Sequence, residues 1–406
     1  MLDFKPPKPN TTVIKLVEAM MPLFNRWYLK GLSLDIDAES IARLKTTDGY
    51  PTVLAPNHAA SADSAVVFLL SKQHAQPYYY YMAAREIFDI GKLGGLRSFL
   101  MQRCGAFSVI RGTADRNAFR TAREILTQGD RPLVIFGEGE ISRQNDTVMR
   151  FERGATQLCF WALDDMEKTG INKPLYIVPI GIKYLYPQDM WNSIDDAITD
   201  LEQTILPPAE RTPIERYGRL RRIAVAIFKT LAAEYQYKLD DSLPFDVHIQ
   251  ALKEQILSHT EQIMGINPDG DVLTRVRALK NLVDAEVYKD IDQMTEYERK
   301  IHEELLQKFQ QFYPDLNRLV NFIAISDGYV AEVPSAERFL DVITRLEREV
   351  FGRAKKQGPR VASIRVGDPI NLKDCYNTYK TQKRETVEQI TLELETAVQT
   401  LVTRAS

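Results

Sequence analysis

Residues 51–71 read Pro51-Thr52-Val53-Leu54-Ala55-Pro56-Asn57-His58-Ala59-Ala60-Ser61-Ala62-Asp63-Ser64-Ala65-Val66-Val67-Phe68-Leu69-Leu70-Ser71. A short apolar run, a polar loop and a second apolar run with helical spacing form a strand, a turn and a helix, the repeating unit of an α/β layer. The same alternation continues downstream. Strands are predicted at Tyr78–Met82, Ala106–Ile110, Leu133–Phe136 and Tyr176–Ile180, and helices around 63–71, 94–103, 114–126 and 154–166. Alternating strands and helices predict an α/β fold with a mixed, largely parallel sheet flanked by helices, and place any site at the strand ends.

After Pro187 the windows become charged and helix-periodic with little strand signal, and the pattern holds to about Lys356. The strand signal returns at Arg360–Val366, and Val387, Ile390, Leu394, Val398 and Leu401 mark a closing amphipathic helix. The expected organisation is an N-terminal amphipathic helical segment (1–44), an α/β core (45–186), a large all-helical insertion (187–357), and a return strand and C-terminal helix completing the core (358–406).

The 406 residues carry a formal net charge of -3, with 44% hydrophobic and 26% charged residues. This is an ordinary globular composition. It argues against nucleic-acid binding, which calls for a clustered basic excess. Cys104, Cys159 and Cys375 are an odd set with no C-x-x-C spacing, so neither a disulfide framework nor a zinc ribbon is expected. No signal peptide and no transmembrane helix is read, and a cytoplasmic location is expected. Val13, Leu16, Val17, Met20, Phe24 and Trp27 recur at helical spacing beside Lys15, Arg26 and Lys30, the pattern of a helix lying on a membrane or packed on its own domain.

Four blocks carry chemistry. In Asn57-His58-Ala59-Ala60-Ser61-Ala62-Asp63, a carboxylate at a helix start can take the Nδ1 proton of a loop histidine, leaving Nε2 as a general base. Alone, a histidine with an aspartate five positions on more often marks a hydrogen-bonded structural histidine. In Gly105-Ala106-Phe107-Ser108-Val109-Ile110-Arg111 a strand delivers an arginine whose planar fork suits phosphate oxygens. In Phe136-Gly137-Glu138-Gly139-Glu140-Ile141-Ser142-Arg143 a strand opens into a turn where two glycines let a ligand approach the backbone, and Glu138 can bond acceptor hydroxyls or organise Arg143. The fourth, Ile177-Val178-Pro179-Ile180-Gly181, suits a pocket wall.

In this order the blocks resemble the glycerolipid acyltransferase family typified by bacterial 1-acyl-glycerol-3-phosphate acyltransferase. Its N-H-x-x-x-x-D block is matched by Asn57, His58 and Asp63, and its G-x-F-x-x-x-R block by Gly105, Phe107 and Arg111. Its F-P-E-G-x-x-S-R block is matched by Phe136, Glu138, Gly139, Ser142 and Arg143, and its V-P block by Val178 and Pro179. The resemblance implies catalysis by His58 and Asp63 and acceptor or phosphate binding by Arg111, Glu138, Gly139, Ser142 and Arg143. Asn57, Gly105, Phe107, Phe136 and Pro179 would support them. It implies transfer of a fatty acyl group from acyl-CoA or acyl carrier protein, with no other cofactor and no metal, to 1-acyl-glycerol-3-phosphate at a membrane surface. Glycerol 3-phosphate or another lysophospholipid is the alternative acceptor, and a non-catalytic lipid or acyl-carrier binder the alternative class. Two positions depart from the pattern: Gly137 stands where the family has proline, and Glu140 where it has threonine.

Two further features admit rival readings. Arg211, Arg216, Arg219, Arg221, Arg222 and Lys229 form a cationic stretch that either grips an acidic partner or is a solvated helix face. Tyr78–Tyr81 reads as core packing before ligand stacking.

Overall fold

The computed structural model describes residues 3–88, 94–240, 242–287, 294–322, 327–355 and 358–405. In chain order the elements are α1 (Thr11–Phe24), β1 (Ser33–Ile36), α2 (Ala38–Lys45), β2 (Thr52–Pro56), α3 (Asp63–Gln73), β3 (Tyr80–Ala84), α4 (Gly94–Arg103), β4 (Ala106–Val109), α5 (Arg116–Gln128), β5 (Leu133–Val134), α6 (Gly154–Lys168) and β6 (Tyr176–Leu185). Helices α7 (Trp191–Ile205) to α14 (Ala336–Phe351) follow, then β7 (Val361–Val366), β8 (Ile370–Asn371), α15 (Tyr376–Thr381) and α16 (Lys383–Arg404). The chain divides into two compact units, one made of Phe4–Pro187 with Gln357–Ser406 and the other of Gln188–Lys356 with Met1–Asp3.

The first unit holds an eight-stranded sheet in the order β1-β7-β6-β2-β5-β3-β4, with β8 paired to β6. Strands β2 to β6 run parallel to their neighbours, while β7 and β8 pair antiparallel with β6. The fold is α/β with a mixed, mostly parallel sheet. Strand β2 is buried along its whole length, as expected of a central parallel strand with both faces covered. One face carries a core of Val53, Phe107, Leu126, Leu133, Phe160, Ile177 and α16 residues such as Leu394 and Val398. The other carries Leu54, Val66, Leu70, Tyr79, Val178, Ile182 and Ile364, with Ile14 and Met21 of α1. Tyr79 and Tyr80 are buried in these cores, the packing role.

The segment ahead of residue 45 contributes more than a helix, because β1 pairs in parallel with β7 at the sheet's edge. The second unit is helical throughout its described residues, with no strand among them. Four of the six cations in its cationic stretch are held in internal ion pairs. Arg216 makes two bonds to Asp195 at 2.8 Å, Arg221 reaches Asp327, and Arg219 and Arg222 share Glu202.

Candidate active site

The parallel strands all end on one edge, where an open α/β sheet gathers its ligand-binding loops. His58 follows β2, Glu86 follows β3, Arg111 follows β4, and the Glu138–Arg143 turn follows β5. Three of the four motif blocks are thus strand ends, the fourth lying within β6, and the sheet order brings together residues up to 85 positions apart in sequence (His58 to Arg143).

His58 is positioned from several directions. Its Nδ1 lies 2.8 Å from Asp63 Oδ2, which also accepts the Ala60 N–H at 2.8 Å. The other oxygen of Asp63 accepts a hydrogen bond from the Tyr184 hydroxyl. Asp63 is fully buried at the first turn of α3, so its charge is held by three donors rather than by water. The imidazole stacks on Phe136 with ring centroids 4.2 Å apart. With Asp63 accepting at Nδ1, that nitrogen carries the proton, and Nε2 is the one left for an acceptor hydroxyl.

The backbone around His58 is tied to the third block. Ser142 N–H donates to the His58 carbonyl at 2.8 Å, and the Ser142 hydroxyl donates to the same oxygen at 3.3 Å. Glu138 is completely buried and points inward. Its carboxylate accepts the His58 N–H at 2.6 Å and the Met149 N–H at 3.1 Å, so it latches the histidine loop to the segment after β5. The structure therefore places Glu138 and Ser142 behind the histidine rather than facing an acceptor. The backbone N–H groups of Gly137, Gly139, Ile141 and Ser142 all have partners within this turn or the β2 loop.

Burial pushes the Glu138 carboxyl from its ordinary 4.5 up to about 8, against the lowering by the His58 and Met149 N–H groups. A carboxyl whose folded value is raised holds its proton more tightly when folded. Its contribution to stability is therefore greatest below about 4.5 and declines as pH rises toward 8. We expect urea midpoints to fall over this window in the wild type and the slope to flatten in Glu138→Gln. Equal slopes in the two proteins would remove Glu138 as the source.

Asparagines anchor the neighbouring strand. Asn57 exchanges both amide bonds with Ile182, at 3.0 and 2.7 Å, and Asn145 does the same with Tyr184. These clamps hold the end of β6, which runs five residues beyond its pairing with β2, and so fix where the Tyr184 hydroxyl lies. The Arg360 guanidinium sits 4.7 Å over the Tyr184 ring.

The departures from the family pattern have local reasons. A Cβ on Gly137 would lie 2.4 Å from the Phe151 ring, and the Gly137 N–H donates to the Pro56 carbonyl at 3.3 Å. Proline would collide with the ring and lose that bond. Glu140 pairs with Arg111: Nη1 donates to its Oε2 at 2.8 Å and to the Gly139 carbonyl at 2.9 Å, while Nη2 donates to Glu86. Arg143 has a left-handed backbone, φ +54°, and donates to the Ile141 carbonyl. Gly105, at φ +92°, leaves no room for a Cβ, which would lie 2.6 Å from the Tyr79 carbonyl oxygen. Phe107 is fully buried in the core, and Pro179 packs under Gly367, whose N–H donates to its carbonyl at 2.9 Å.

Tyr184 and Glu86 had no sequence signal. Their contacts to Asp63 and Arg111 span 121 and 25 residues and belong to none of the four blocks. The cysteines stay structural in setting: burial pushes the Cys104 thiol up to about 11, and Cys159 is fully buried. No group of three or more metal-ligating side chains occurs among the described residues.

An imidazole oriented by a buried carboxylate at the carboxyl edge of an α/β sheet defines a general-base site for activating a hydroxyl. Residues 37–183 match the family model described as Acyltransferase. No curated protein sequence matches the chain. The family supports acyltransferase activity in general, and with it an acyl donor and a lipid acceptor as substrate classes.

Proposed function

We propose that the protein is an O-acyltransferase that moves a fatty acyl group from acyl-CoA or acyl carrier protein to a hydroxyl of a glycerophospholipid precursor. The first acceptor to test is 1-acyl-glycerol-3-phosphate, with glycerol 3-phosphate or another lysophospholipid as the alternative. The observation that carries this reading is the His58–Asp63 pair, buried on the carboxylate side and set at the strand edge with Nε2 remaining for substrate.

His58 Nε2 takes the acceptor hydroxyl's proton as the oxygen attacks the thioester carbonyl. The tetrahedral intermediate collapses, an ester C–O bond replaces the C–S bond, and the departing thiolate takes the proton back from the imidazolium. No acyl-enzyme is formed. The test is transfer from a labelled acyl thioester to 1-acyl-glycerol-3-phosphate, glycerol 3-phosphate and a diester lysophospholipid in parallel, with both donors tried. Absence of product in every combination would overturn the reading, leaving the non-catalytic lipid binder.

Membrane association is part of the proposal. Leu16, Met20, Leu23, Phe24, Trp27 and Tyr28 are all exposed at spacings that line one side of α1 and its continuation, with Trp27 70% exposed. Leu96 and Phe99 are exposed on α4, which packs against α1. Beside Phe99 lies a cavity of about 290 Å³ whose lining includes Lys5, Lys8 and Arg103. An apolar stripe rimmed by cations suits the interface of an anionic bilayer. No described helix is long and apolar enough to cross a membrane. We expect the protein to float with anionic vesicles, and Leu16→Glu/Trp27→Glu to remain in the dense fraction. Flotation unchanged by the double substitution would exclude this face.

A further inference from the structure

Arg111 is the residue that the motif pattern offers to a phosphate, yet the structure surrounds it with carboxylates. Glu86 comes from the end of β3, Arg111 from the end of β4 and Glu140 from the turn after β5. The arginine reaches across β3 to bond the Gly139 carbonyl and the Glu140 carboxylate, and gives its other Nη to Glu86. Its side chain is 24% exposed, that of Glu140 12% and that of Glu86 37%, so the cluster is only partly screened by water.

A phosphate monoester approaching this guanidinium brings up to two negative charges beside two carboxylates already bound to it. Repulsion between like charges at such distances is substantial in a partly buried site. A hydroxyl meets no such opposition, because it can donate to a carboxylate and accept from the guanidinium. In the sequence pattern that this chain resembles, position 140 is threonine, which carries no charge.

The geometry points to Glu140 as a specificity-determining residue. By holding Arg111 together with Glu86, it disfavours acceptors with a phosphate monoester at this position. It favours lysolipids whose head group there is uncharged or at most a singly charged diester. This rests on the acyl-transfer reading of the site.

The test compares 1-acyl-glycerol-3-phosphate, its phosphoglycerol diester counterpart and uncharged 1-monoacylglycerol as acceptors for the full-length protein, as wild type, Glu140→Thr, Glu140→Gln and Glu86→Gln. The wild type should prefer the diester and uncharged acceptors. Both Glu140 variants should raise the monoester-to-neutral ratio of kcat/KM by about tenfold or more, chiefly through KM. Calorimetric binding of the same lipids to the inactive His58→Ala protein, with and without Glu140→Thr, gives a readout that needs no turnover. A gain in monoester affinity there upholds the inference even if every acceptor fails to react, in which case only the acyl-transfer reading falls. An unchanged or lowered ratio, or no gain in monoester binding, overturns it and leaves Glu140 as a residue that merely holds Arg111 in place.

Discussion

Replacing His58 by alanine is expected to lower kcat/KM by about 10²- to 10⁴-fold, the range that a positioned general base contributes. The fold should survive. Asp63 keeps the Ala60 N–H and Tyr184 hydroxyl as donors, and the backbone bonds of residue 58 to Glu138 and Ser142 do not involve the imidazole. The lost stacking on Phe136 leaves a small, partly solvated space rather than a sealed cavity, since the His58 side chain is 19% exposed. Activity and thermal melting measured together decide the matter. An active alanine variant would mean that another group removes the hydroxyl proton, and the mechanism above would be wrong.

The second large effect is expected from Asp63→Asn. Its amide is nearly isosteric, and only one orientation suits the site. The oxygen must face the Ala60 N–H and His58 Nδ1, which puts the NH₂ toward Tyr184, whose hydroxyl can turn to accept. The imidazole keeps its place and tautomer but loses the buried negative charge that stabilises the imidazolium formed when the acceptor proton arrives. We expect kcat to fall by about 10² to 10⁴-fold, with little change in KM or in the melting temperature. Asp63→Ala is the poorer test, because it strands donors in a fully buried position and risks unfolding. Turnover within tenfold of wild type in Asp63→Asn would reduce Asp63 to a fastener of the α3 start.

The sequence made the sheet legible where burial was uniform. Val53-Leu54-Ala55 and Ile177-Val178 are continuous apolar runs because parallel strands are covered on both faces, and the helices between them carry the compensating periodicity. Strands β1 and β8 escaped for the opposite reason. Ser33-Leu34-Asp35-Ile36 lies at the sheet edge with alternate residues exposed, and Ile370-Asn371 is two residues long. The partners of the site were legible only where they fell within a block. His58 and Asp63 are five residues apart and touch through a local turn. Tyr184 reaches Asp63 only because β6 overshoots β2 and two asparagines hold its end, a tertiary fact with no local trace. The inward turn of Glu138 was equally hidden. The alternation that would assign its side ends where the β5 segment bends at Gly137, packed against Phe151. The cationic stretch of α8 (Arg216–Glu234) shows the limit of counting charge along a chain, since its neutralising carboxylates come from α7 and from Asp327.

Strands β6 and β7 are antiparallel neighbours whose register places Leu185 opposite Val361, so the chain leaves the sheet and rejoins it at facing positions. In graph terms the two strands are an ordinary β-hairpin, and the helical unit occupies the place of its loop. Because the entropy of closing a loop grows only logarithmically, by about 0.6 kcal/mol per doubling of length, such a gateway tolerates guests of almost any size. That permissiveness makes this hairpin the natural place to graft a foreign domain or reopen the chain as new termini.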